Sequence, residues 1–137
     1  MTDVANDNFT QADVEELKRS IDSLVAITHK MAKHWWIDPV TGEDLRKNPL
    51  MVPVKLALVM REASEALEAH RTDAMDDKLP QFPGITVELV DVLFRVGDLA
   101  GAYGYDLGSA AVAKASVNAT RSDHKLENRA KAGGKKY

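Results

Sequence analysis

The segment VELVDVLFRVGDLA, residues 87–100, constrains the fold more than any other stretch of the chain. Read as a helix, it places Glu88, Asp91, Arg95 and Asp98 on one stripe, while Val87, Leu89, Val90, Leu93, Phe94 and Val96 occupy the remaining directions. A helix that is apolar around most of its circumference has to be covered on several sides. A chain of 137 residues supplies too few helices for that cover, so the pattern predicts packing against a second copy, as a homodimer or homotetramer.

The rest of the chain agrees with this helical start. Thr10 is placed to cap a long first helix in which Leu17, Ile21, Leu24, Met31 and Trp35 recur at helical steps, with an end near Trp36. The segment IDPVTGEDLRKNPLMVP carries Pro39, Gly42, Pro49 and Pro53 and reads as a connecting loop of about 15 residues. A second helix is expected from Val54 to Arg71 and a third from Ile85 to Tyr103, stopped by Gly104. Asp106 can cap a fourth that runs into the 120s. No alternating strand pattern of useful length occurs, so the expected class is all-α with a four-helix-bundle-like subunit. Residues 1–125 are expected to form one domain and residues 126–137 a basic tail.

Composition narrows the chemistry. With no cysteine, a disulfide framework and a thiolate metal site are both excluded, and a metal would need oxygen or imidazole ligands. The polar, acidic start and the absence of an 18-residue apolar run predict a cytoplasmic address with no membrane partner. Charge is unevenly spread: residues 1–113 hold 11 Lys and Arg against 19 Asp and Glu, and residues 114–137 hold 7 against 2. The basic end suits either an anionic ligand or a solvated tail, and the acidic body argues against a duplex nucleic-acid partner.

Two acidic pairs stand out against this background. Glu62 and Glu65, in REASEALEAHR, are three apart on one helical face, where like charges repel; Glu88 and Asp91 repeat the spacing on the third helix. In an antiparallel hairpin, Glu65 lies roughly 9 Å before the turn and Glu88 roughly 6 Å after it, with Glu62 and Asp91 level at roughly 13 and 10 Å. Four carboxylates at matching heights suit a hard cation such as magnesium, manganese or calcium, and the alternative is a pair of solvated polar stripes. On the fourth helix, Lys114, Asn118, Arg121 and Lys125 share a narrow face, which is either solvated or a cradle for phosphates.

The order ExxE, spacer, ExxD resembles the signature of the MazG-like superfamily of all-α nucleoside triphosphate pyrophosphohydrolases, and KASVNATRSDHK resembles its phosphate-contacting helix. The likeness covers roughly residues 20–125. It departs after Arg121, where many members continue with Pro and Lys-His-Gly and this chain reads Ser122-Asp123-His124-Lys125. The resemblance implies a magnesium-dependent enzyme, with manganese as a substitute, that hydrolyses a (deoxy)nucleoside triphosphate to nucleoside monophosphate and pyrophosphate. It further implies Glu62, Glu65, Glu88 and Asp91 as metal ligands, Glu62 or Glu65 as the catalytic acceptor of the water proton, and Lys114, Asn118 and Arg121 as contacts to phosphate or sugar.

Base recognition falls to THKMAKHWW. His29, Lys33 and Trp36 are about a turn apart and could line a pocket mouth; alternatively, the tryptophans close a core or subunit contact and His29 is a structural hydrogen-bonder. The tail, with Gly133-Gly134 beside Lys135 and Lys136, either folds over a triphosphate or stays solvated. A non-catalytic helical oligomer that binds nucleotide or divalent ion is the competing class.

Overall fold

The computed structural model describes residues 10–121 and 126–134, and within them the chain is all-α, with no strand. The helices are α1 (Gln11–Ala32), α2 (Met51–Arg71), α3 (Gly84–Tyr103), α4 (Leu107–Thr120) and the single turn α5 (Leu126–Arg129). Two compact units are present: Met1–Asp22 with Asp106–Tyr137, and Ser23–Tyr105. None of the described helices is long and apolar enough to cross a membrane.

Helix ends follow local chemistry. Thr10 caps α1, its Oγ1 accepting the Asp13 N–H while its own N–H donates to Asp13 Oδ2 at 2.7 Å, so two otherwise orphaned donors are satisfied. Past Ala32 the chain tightens into a 3-10 turn, Lys33–Trp36, which completes the expected run to Trp36. Gly104 stops α3 with φ 68°, a left-handed conformation that a Cβ would oppose, and the Asp106 carboxylate accepts the Ser109 N–H at 3.0 Å to start α4.

Helix α2 begins at Met51, three residues before the expected start at Val54. Pro53 explains the difference: in a first turn its missing N–H has no intrahelical acceptor to lose, so the proline enters the helix rather than ending the loop. The preceding loop is built from local bonds, Asp38 Oδ1 accepting the Val40 and Thr41 N–H groups and Asp44 Oδ1 accepting that of Arg46.

Within Ser23–Tyr105, α2 and α3 pack side by side, joined by a closed loop in which Asp76 Oδ1 accepts the N–H groups of Lys78 and Leu79. At its other end α3 meets α1 closely. A Cβ on Gly97 would collide with the Thr28 hydroxyl, and one on Gly101 with the His29 side chain, so glycine is what permits the approach. Trp36, 2% exposed, fills the space beside Leu99 and Ala102, with Met51, Val52 and Tyr103 around it.

The faces of the hairpin are inverted relative to an ordinary amphipathic pair. On α2 the inward stripe includes Lys55, Glu62 and Ala66, all buried, with Glu65 half-buried, whereas Leu56, Met60 and Leu67 are exposed. On α3, Leu89, Val90, Leu93 and Phe94 are likewise exposed.

Candidate metal centre

The inverted hairpin brings charged groups together because polar residues occupy the positions that face the neighbouring helix. From α2, Glu62 and Glu65, three apart, project from adjacent turns; from α3, Glu88 meets them. One oxygen from each of these three carboxylates lies within 4.8 Å of the others. Asp91, on the next turn of α3 and half-buried, stands outside that group, although its charge reaches Glu88.

Electrostatics distinguishes the members. Partial burial, followed by the charges of Glu65, Asp91, Glu62 and Asp76, pushes the Glu88 carboxyl above its ordinary value. Glu65 is held below its ordinary value, chiefly by the hydrogen bond from Arg61 Nε at 2.8 Å. Glu62 is the buried member and takes its counter-charge from α3, where Arg95 reaches it at 2.9 Å. Three carboxylates thus converge, with Arg61 bonded to Glu65 and Arg95 to Glu62. Such an oxygen-only donor set fits a hard divalent cation, magnesium or manganese, better than a softer metal.

The remaining expected site residues are distributed differently. His29 and Trp36 come together, ring centroids 6.5 Å apart, but around a partner the sequence did not single out for this role. Asp98 Oδ1 accepts the Trp36 indole N–H at 2.8 Å and the His29 Nδ1–H at 2.9 Å, and Lys55 Nζ lies 3.5 Å from Oδ2 and 4.2 Å above the Trp36 ring. Of the two roles open to Trp36, the geometry supplies the core one: its ring is enclosed and its N–H is spent on Asp98, so it offers no face for stacking on a base. Lys33 is exposed in the 3-10 turn, away from this network's hydrogen bonds. The warning in the sequence was Lys55, a cation between Val52 and Leu58 on the inward side of α2.

Lys114, Asn118 and Arg121 belong to the other unit. Lys114 is exposed on α4, Asn118 is half-buried and Arg121 follows the helix end. The Asn118 Oδ1 is buried and has no hydrogen-bond partner among the described residues. Lys125, the last member of the expected basic stripe, and the tail lysines Lys135 and Lys136 lie outside the described residues. No family model matches the chain, and no curated protein or solved structure matches it either.

Proposed function

We propose that the chain is a magnesium-dependent pyrophosphohydrolase that converts a (deoxy)nucleoside triphosphate to nucleoside monophosphate and pyrophosphate. The observation that carries this reading is the convergence of Glu62, Glu65 and Glu88 from two helices. Like charges at that separation are unfavourable by themselves, and a bound cation is what turns the arrangement to advantage. Asp91, one turn beyond Glu88 and outside that group, is the fourth ligand that the MazG-like resemblance implies.

Magnesium or manganese held there would supply charge to offset that of the phosphate oxygens and acidify a bound water. The chain's own groups do the rest. The Arg61 hydrogen bond favours the ionised form of Glu65 that a metal ligand needs, and Glu65 or Glu62 is the candidate to accept a proton from the attacking water. Lys114 and Arg121 are suited to phosphate oxygens as donors. Asn118, with a carbonyl acceptor and an amide donor, suits either a sugar hydroxyl or a phosphate oxygen. Nucleotide-pool housekeeping in the cytoplasm is the setting this chemistry suggests.

The exposed stripes of α2 and α3 support a homo-oligomer, because leucine, methionine and phenylalanine in such numbers on one hairpin favour burial against another copy. The same stripes favour the second reading, an oligomer that binds nucleotide or divalent ion without turnover. A panel of nucleoside triphosphates, incubated with and without magnesium and followed by product identification, tests both. Monophosphate and pyrophosphate appearing only with magnesium are expected; binding without turnover of any member would leave the second reading, and stepwise release of inorganic phosphate would contradict the first.

A further inference from the structure

Glu62 is the most enclosed of the three clustered carboxylates, its side chain 6% exposed. Arg95, from the facing helix, donates to its Oε1 from Nε at 3.0 Å, and a terminal nitrogen pairs with the same oxygen at 2.9 Å. A planar guanidinium that meets one oxygen through two nitrogens constrains a carboxylate more than a point charge does. Arg61 has no such bond to Glu62; its Nε is committed to Glu65.

Resting on the metal reading above, we propose that Arg95 is the positioning residue of that centre: by holding Oε1 it keeps the buried Glu62 carboxylate turned toward Glu65 and Glu88. Two effects of Arg95 on a divalent cation oppose each other. Its positive charge repels the cation, whereas its contact keeps in place a ligand that would otherwise rotate away. The second effect dominates because Arg95 is 41% exposed and its charge is screened by solvent, while the carboxylate it holds is shielded. Hydrogen-bond partners of metal ligands typically contribute about 10- to 100-fold to affinity.

The test is Mn2+ titration, read by electron paramagnetic resonance, of the full chain and of Arg95→Met, Arg95→Lys and Glu62→Gln, with the metal-free thermal midpoint of each measured alongside. Arg95→Met is expected to bind Mn2+ about 10-fold or more weakly. Arg95→Lys, which keeps the charge but loses the two-point grip, is expected to recover part of that loss, a rescue that a merely structural role would not produce. Unchanged or tighter binding by a folded Arg95→Met overturns the positioning role while leaving the metal centre standing. Failure of the unmodified chain to bind Mn2+ overturns the metal reading and this one with it. Should Arg95→Met not fold, Arg95→Lys decides: full affinity overturns the proposal, and a loss of about 3-fold or more supports it.

Discussion

Asp98 and Glu88 occupy the same polar stripe of α3, yet the rest of the molecule treats them in opposite ways. Asp98 is 6% exposed and its carboxylate is met from three directions, by the Trp36 indole, the His29 ring and the Lys55 ammonium. Glu88 is only half-buried, but that burial, together with the charges of Glu65, Asp91 and Glu62 beside it, pushes its carboxyl toward the neutral form. One carboxylate ties α1, the 3-10 turn and α2 to α3; the other is left with more negative charge around it than the protein neutralises. Position on a helix therefore says little about what a carboxylate is for, and its partners say much more.

The strongest way to break the comparison is at Asp98. Replacing it by alanine leaves a buried ammonium and an indole N–H without their acceptor, and removing one partner of a buried ion pair costs about 3–5 kcal/mol. Asp98→Ala is expected to lose about 3 kcal/mol or more in urea unfolding, whereas Lys55→Met, which leaves Asp98 two other donors, should lose less. A loss below about 1 kcal/mol for Asp98→Ala would mean that this network does not hold the four segments together.

At Glu88 the sign should reverse. Glu88→Gln removes a charge from a repulsive group and is expected to raise metal-free stability by about 0.5 kcal/mol, the scale of a like-charge pair near the surface. The same variant should gain less than the unmodified chain when Mn2+ is added, since a ligand that binds only the folded state stabilises in proportion to its affinity. A variant that is destabilised without metal would show that Glu88 is already balanced and would remove the contrast with Asp98.

Much of this was legible beforehand, because helix boundaries are set by residues close in sequence. Thr10, Gly104 and Asp106 act where their chemistry places them, and the entry of Pro53 into α2 moved the start of that helix. The approach of Glu62, Glu65 and Glu88 followed from helical spacing and the hairpin, both nearly local properties. Matching heights along two helices did not suffice for Asp91, because grouping also depends on the angle at which each side chain leaves its helix. The Asp98 network was hidden for another reason: its partners lie 62 and 69 positions away, so no periodicity reports them. Only packing, permitted by glycines at 97 and 101, brings them together.

The smallest expected effect is a pH dependence of opposite sign at two carboxylates. Glu88 has a folded-state value above the ordinary 4.5, so between 4.5 and that raised value the folded chain binds more proton than the unfolded chain. Its contribution to metal-free stability must therefore fall as pH rises through this window, the reverse of the usual carboxylate. Asp44 supplies the usual case: the Arg46 guanidinium and backbone N–H hold it down from 3.8 to about 2, so its contribution is present above 3.8 and fades as pH falls toward about 2. Urea midpoints measured across pH 3–7 on the unmodified chain, Glu88→Gln and Asp44→Asn separate the two. Glu88→Gln should flatten the decline above pH 4.5, and Asp44→Asn should flatten the acid-side loss; identical profiles for Glu88→Gln and the unmodified chain would mean that the acidic cluster carries no unbalanced charge in the absence of metal.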